Sequence, residues 1–168
     1  ATNTPLQRIT TYSYNSLGQK ETITRPDGTI LYHTYDAKGC LQTLTSSDNT
    51  IAYTYSYDKK DQILQVEDSV YNITTSRSYT QRGKLSQLAN DYTLSYSYDG
   101  QDRVKTITLP DNSSVSYSYN AFAMEAITRY NPSYEKVYSH TYASFDPQGN
   151  ILEETLLDGT TRDRTYDR

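Results

Sequence analysis

Tyrosine and hydroxyl residues alternate along much of this chain. Tyr12 and Tyr14 flank Ser13, and Tyr53, Tyr55 and Tyr57 flank Thr54 and Ser56. Tyr96 and Tyr98 flank Ser97, and Tyr117 and Tyr119 flank Ser118. Residues two apart share one face of a strand. Each run therefore predicts a β-strand with Tyr on one face and Ser or Thr on the other. Few helix-forming runs interrupt the pattern. No apolar stretch approaches the roughly 18 residues of a membrane helix.

The runs recur with a common grammar. Anchors consist of an aromatic residue followed by Asp, Asn or Thr: Tyr14-Asn15, Tyr35-Asp36, Tyr57-Asp58, Tyr79-Thr80, Tyr98-Asp99, Tyr119-Asn120, Phe145-Asp146 and Tyr166-Asp167. They lie 21, 22, 22, 19, 21, 26 and 21 residues apart. Three residues after the polar partner comes Gly or Asp: Gly18, Gly39, Asp61, Gly83, Asp102 and Gly149. Two further on stands an aliphatic residue (Leu41, Ile63, Leu85, Val104, Ile151), and three beyond that another (Ile23, Leu44, Val66, Leu88, Ile107). Twelve residues past the polar partner come Asp27-Gly28, Asp48-Asn49, Asp111-Asn112 and Asp158-Gly159. The sixth unit departs most, with Ala123 at the Gly position, Glu125 at the next aliphatic position and an insertion around Asn131-Pro132.

This grammar supplies two turns per unit. Asp-x-x-Gly fits a type I turn with Gly absorbing the left-handed conformation, and Pro147 sits where such a turn accepts a fixed φ. Asp-Gly and Asp-Asn between alternating runs predict tight hairpins. The intervals left are strands of about 5 to 7 residues. The predicted fold is all-β: repeated antiparallel β-hairpins forming one long, curved meander sheet, shell- or barrel-like. Curvature is expected because open sheets rarely exceed about 10 strands without curling. Residues 1–11 form a lead-in and residues 12–168 an array of about seven units, the period expected of a repeat architecture. The start without Met and the stop on an anchor read as a piece of something longer.

Composition first points elsewhere. Leu, Ile, Val and Phe number 29 of 168 residues, below the roughly 20% at which disorder sets in. Yet the net charge is only −4, and disorder needs charge as well. The chain carries 19 Tyr, with 42 Ser and Thr, residues that suit a pleated surface. Aligned by repeat, Tyr becomes the expected core residue of a sheet. A pI near 5.1 argues against a nucleic-acid partner, which calls for a basic face. The single cysteine, Cys40, allows no internal disulfide.

Candidate chemistry is sparse. Of the two histidines, His33 occupies a position held by Tyr in other units, and both His33 and His140 read as ladder aromatics. Cys40 sits at a variable turn position, so a Cys40–His33 nucleophilic pair lacks a third member. The Asp residues belong to turns, where their carboxylates bind backbone N–H groups. No calcium-loop, zinc-ligand or glycine-rich phosphate pattern occurs. The expectation is a protein that is not an enzyme, with no catalytic residue, metal or cofactor. Tyr faces also suit sugar rings, and Tyr130 and Tyr134 of the irregular unit are the candidate glycan contacts.

The unit Tyr-x-Tyr-Asp-x-x-Gly-x-Leu-x-x-Ile resembles the YD repeat, also called the RHS repeat, over Tyr12 to Arg168. The resemblance implies a segment of a large secreted or surface protein: a polymorphic toxin, a toxin-complex shell component, a wall-associated protein or a teneurin. It implies a non-catalytic β-sheet shell that encloses or displays a toxin or effector segment, with carbohydrate binding as the alternative. The expected partners are other repeats or domains of the parent protein, an enclosed toxin polypeptide, glycans, and a second copy through the sheet edges. Asp146-Pro147-Gln148-Gly149 resembles a signature of the self-cleaving end of such toxin cores, but no second Asp-Pro follows, and the element occupies its repeat's ordinary turn position.

Overall fold

A computed structural model of the chain describes residues 8–166. The lead-in up to residue 7 and the last anchor's Asp167 lie outside the described residues. Residues 8–10 carry no regular structure. Fifteen strands follow, and no helix occurs among the described residues. They are β1 (Thr11–Tyr14), β2 (Lys20–Thr24), β3 (Ile30–Tyr35), β4 (Leu41–Ser46), β5 (Ala52–Tyr57), β6 (Ile63–Asp68), β7 (Ile73–Tyr79), β8 (Leu85–Ala89), β9 (Thr93–Tyr98), β10 (Val104–Thr108), β11 (Ser114–Tyr119), β12 (Met124–Tyr130), β13 (Lys136–Phe145), β14 (Ile151–Leu156) and β15 (Thr161–Asp163). Their order is sequential from β1 to β15, an open antiparallel meander. The all-β hairpin expectation holds.

The chain divides into two compact units, residues 1–77 and 78–168. The hairpin rules are the same in both. At an anchor turn the Asp36 N–H donates to the Cys40 carbonyl (2.9 Å), and the Gly39 N–H to the Asp36 carbonyl (3.0 Å). Gly39 has φ +90°. This is a three-residue loop, a type I turn followed by a left-handed residue that forms a bulge. The Asp-Gly turns obey the same rule. The Arg25 N–H donates to the Thr29 carbonyl, and the Gly28 N–H to the Arg25 carbonyl, with Gly28 at φ +88°. These hairpins are therefore one residue longer than the two-residue form that Asp-Gly favours. Pro26 takes the second turn position, Asp27 the third and Gly28 the left-handed place, as Leu157, Asp158 and Gly159 do in the turn without a proline.

A bulge follows the anchor turns whose strand register is described and explains the odd spacing of the aliphatics. Leu41 and Leu44 are three apart, which in a regular strand places them on opposite faces. In the register, Leu41 faces Tyr35 and Thr43 faces Thr34, so Gln42 is unpaired. Leu44 then faces His33, and both leucines return to one face. Ile63 and Val66 are restored around Leu64 in the same way, and Val104 and Ile107 around Lys105. One inserted residue per strand re-aims the side chains after it.

Two chemically distinct faces result. One carries rows such as Tyr12–Ile23–Leu31, Tyr55–Val66 and Tyr96–Ile107–Val115. The other carries Thr34–Thr43–Thr54 in the first unit and Ser97–Thr106–Ser116–Thr128–Ser139 in the second. Facing hydroxyls bond directly, Ser13 to Thr22 and Thr34 to Thr43, each at 2.7 Å.

The expectation that Tyr is a buried core residue needs correction. Among the described residues Leu31 is the only buried apolar side chain, while Tyr12 is 52% exposed and Tyr14 59%. Within each unit the strands make a single layer, so a side chain rests only on its neighbours in the sheet. Full burial of an aromatic face requires a second layer.

Candidate functional site

The anchor tyrosines do a specific job. Tyr35 Oη donates to the Lys20 carbonyl (2.8 Å), Tyr57 to Leu41 (2.7 Å), Tyr98 to Leu85 (2.7 Å), Tyr119 to Val104 (2.9 Å) and Tyr166 to Ile151 (3.1 Å). Four of these acceptors open the strand before the one that the tyrosine ends; Tyr166 lies three residues past β15 and reaches the residue that opens β14. The hydroxyl thus ties one unit to the outgoing strand of the previous unit, beside its bulge. Burial pushes the Tyr57 and Tyr98 hydroxyls above their usual range. Tyr14 and Tyr79 end β1 and β7. Phe145, the anchor without a hydroxyl, ends the ten-residue β13, whose pairing with β14 shifts twice.

The polar partners act as turn caps. Asp36 Oδ1 accepts the N–H groups of Lys38 and Cys40, both at 2.9 Å. Asp58 and Asp99 do the same for Lys60 and Gln62, and for Gln101 and Arg103. Asp146 accepts from Gln148 (2.9 Å) and Asn150 (2.8 Å), with Pro147 inside the loop. That carboxyl is held low, chiefly by the Asn150 side-chain amide. Gly18, Gly83 and Gly149 take the left-handed place of their turns, as Gly39 does.

Neighbouring anchor turns are also joined. Lys38 Nζ meets Asp61 at 2.8 Å in the first unit. In the second, Arg82 meets Asp102 at 3.3 Å. Arg103 donates to the Asn120 carbonyl at 2.8 Å, with its guanidinium 4.3 Å from the centre of the Tyr119 ring.

The suspected reactive residues are not brought together. His33 faces Leu44 inside the sheet. Cys40 lies in the following turn, its thiol pushed up by burial. Of the glycan candidates, Tyr130 closes β12 half-buried and faces Ser114, while Tyr134 is 78% exposed. Tyr134 has φ +62°, because residues 131–135 form one more turn of anchor type. The Asn131 N–H donates to the Glu135 carbonyl (2.9 Å) and the Tyr134 N–H to the Asn131 carbonyl (3.0 Å). What reads as an insertion is this repeat's ordinary second turn, and the extra length lies in the ten-residue β13.

One cluster was not foreseen. Glu154 is 1% exposed. It accepts from Arg164 Nη2 at 2.7 Å, and its other oxygen lies 3.1 Å from His140 Nδ1. The Arg164 contact, first among the causes, holds the carboxyl below its usual range. An ionised carboxylate only accepts, so His140 carries its proton on Nδ1. His140 also stacks on Tyr138, with ring centres 4.9 Å apart, and meets Tyr142 edge-on at 6.3 Å. The aromatic contacts of His140 are thus with tyrosines of its own strand, while across the sheet it faces Ile127 and Leu156. A groove of about 410 Å³, lined by Val137, Tyr138, His140, Leu156, Leu157 and Arg162, opens beside it. The signal in the sequence was a broken column: Glu154 stands three residues after Ile151, where other units place an aliphatic residue.

No protein-family profile and no curated protein matches this sequence. Solved structures do. The chain superposes on a crystal structure of TcdB2-TccC3-Cdc42 with a TM-score of 0.73 and 18% identity, over 93% of this chain and 10% of that one. A structure of TcdB2-TccC3 without its hypervariable C-terminal region gives the same values. A mutant Tc holotoxin pore of Photorhabdus luminescens gives a TM-score of 0.70 and 20% identity, over 92% of this chain and 9% of that one. This chain thus spans about a tenth of those chains, and the likeness is one of fold.

Proposed function

We propose that this chain is a non-catalytic wall segment of a larger secreted toxin-type protein, a YD/RHS-type β-sheet that encloses or displays another polypeptide. The observation that carries the reading is a sheet with one buried apolar side chain among its described residues. Its aromatic rows are built and stapled unit by unit yet remain half-open. A face of that kind is a surface awaiting cover. The fold shared with Tc toxin chains supports this reading, and so does an architecture in which the repeated side chains serve turns and inter-unit bonds. The polypeptide covering the aromatic face would belong to the parent protein.

The test is face-selective labelling within the parent protein. Thr54 and Tyr55 are adjacent and point to opposite faces. Each is replaced by cysteine in a Cys40→Ser background and treated with a water-soluble maleimide. A wall protects one face, so one site reacts at least tenfold faster than the other. Equal rates at both sites overturn the proposal.

A further inference from the structure

The anchor turns of the second unit follow one another along one edge of its meander: residues 80–84, 99–103, 120–123 and 146–150. Between two such turns, the outgoing strand of one hairpin and the incoming strand of the next lie side by side. Their ends form a mouth that no turn closes. Two of these three mouths are fastened twice. At the first, Tyr98 Oη donates to the Leu85 carbonyl at 2.7 Å. Arg82 there meets Asp102 and the Gly100 carbonyl of the next turn, both at 3.3 Å. At the second, Tyr119 Oη donates to the Val104 carbonyl at 2.9 Å, and Arg103 donates to the Asn120 carbonyl at 2.8 Å. The third mouth lies between Met124, which opens β12, and Phe145, which ends β13. Phe145 brings no hydroxyl to the place from which the anchor tyrosines donate. Ala121, Phe122 and Ala123 offer no charged side chain. Asn120 Oδ1 caps Phe122 and Ala123, and Asp146 binds Gln148 and Asn150, each within its own turn. Among the described residues no side-chain hydrogen bond or ion pair joins turn 120–123 to turn 146–150. β13 also carries an additional unpaired residue here, Ala143, between Tyr142 facing Glu154 and Ser144 facing Glu153.

Past this mouth the strands are held again. Tyr166 Oη donates to the Ile151 carbonyl at 3.1 Å. The buried Glu154 carboxylate ties β14 to His140 of β13 and to Arg164. We infer that the β12–β13 mouth is the seam at which the second unit parts. The anchor-turn ends of β12 and β13 open and close there, while β13, β14 and β15 stay together as one leaf. The pair Ala126–Thr141 lies nearest the seam, and its structural equivalent at the second mouth is Thr106–Ser116. Local opening exposes backbone amides to exchange according to the opening equilibrium. One net hydrogen bond shifts that equilibrium by about twofold to tenfold. The inference goes beyond the wall reading and stands whether or not the aromatic face is covered. In a wall, the seam is where the sheet parts without breaking a staple.

The test is amide hydrogen exchange on the full chain, read residue by residue by NMR and expressed as protection relative to an unstructured peptide. Protection over residues 125–126 and 141–142 is expected to be about tenfold lower than over 105–106 and 116–117, since two fastenings are missing. Protection over 153–155, inside the leaf, stays at the higher level. Phe145→Tyr supplies the missing hydroxyl and raises protection at the β12–β13 mouth by about threefold or more, with the second mouth unchanged. Tyr119→Phe removes the staple of the second mouth and lowers protection there by a similar factor. It decides the matter if Phe145→Tyr does not fold. Equal protection at the two mouths in the unaltered chain overturns the inference. So does low protection that extends over 153–155, or unchanged protection in either folded variant.

Discussion

Replacing Tyr98 by Phe removes one atom from the inter-unit staple. The ring stays, so packing against the sheet is kept and no cavity forms. What is lost is the 2.7 Å bond from Oη to the Leu85 carbonyl. A neutral hydrogen bond of this kind contributes about 0.5–1.5 kcal/mol net. For a chain of this length about 1 kcal/mol lowers Tm by roughly 2–4 °C. Tyr57→Phe removes the equivalent bond to Leu41 in the first unit. The two sites share no partner, so their effects should add to within roughly 0.5 kcal/mol. Tyr96→Phe is the control: it lies two residues away on the same face, and its hydroxyl makes no protein hydrogen bond. The assay is urea and thermal unfolding by far-UV circular dichroism on the three single variants and the double. The pH profile adds a second readout. The folded Tyr98 hydroxyl is held above its usual value of 10.0 by burial. Its contribution is complete below that value and is lost as pH rises through the higher folded value. Tyr98→Phe should therefore flatten part of the alkaline fall. Equal shifts from Tyr98→Phe and Tyr96→Phe would refute the staple, because ring chemistry alone would then account for both.

Three further outcomes are expected. Gly39→Ala forces a side chain to φ +90° with its Cβ 3.1 Å from Gln19 Nε2. The left-handed backbone costs about 1–2 kcal/mol, since the amide can move aside, and calorimetry of the variant checks it. Asp48 is lowered to about 2, first by the Ser46 hydroxyl and then by Thr50. Its contribution is present above the ordinary carboxylate value and is lost as pH falls toward 2, so Asp48→Asn should show a smaller acid drop in Tm between pH 5 and pH 2. Glu154→Leu restores the aliphatic column but removes one partner of a buried ion pair, leaving the His140 side chain, only 18% exposed, beside it. Removal of one partner of such a pair is destabilising. Thermal unfolding should show a loss of stability for Leu and a larger one for Ala, which also leaves a cavity.

Strands, turns and face chemistry were legible in the sequence because each is local. A turn needs four or five consecutive residues, and a hairpin pairs residues that lie close in sequence. Asp36 and Gly39 thus announce their turn without knowledge of anything distant. Two local signals were still misleading. Asp27-Gly28 promises a two-residue hairpin, but the loop is one residue longer, as it also is at Asp158-Gly159, where no proline stands. Asn131 opens an anchor-type turn that was obscured because Tyr134 fills a place usually held by Gly.

The candidate site was less legible. Glu154 could be noticed as a break in its column, but nothing in the spacing said that Arg164 and His140 would meet it from two different strand segments. The tyrosine hydroxyl acceptors were likewise hidden. Their partners lie 13 to 16 residues away, and the acceptor carbonyl depends on the bulge beside it. Alternation and turn chemistry by themselves determined an all-β hairpin meander with one tyrosine face and one hydroxyl face, since period and turn geometry are properties of short segments. Tertiary structure decided register, through one unpaired residue in outgoing strands such as β4, β6 and β10. It also decided burial, because a single layer leaves tyrosines half-open that composition had marked as core.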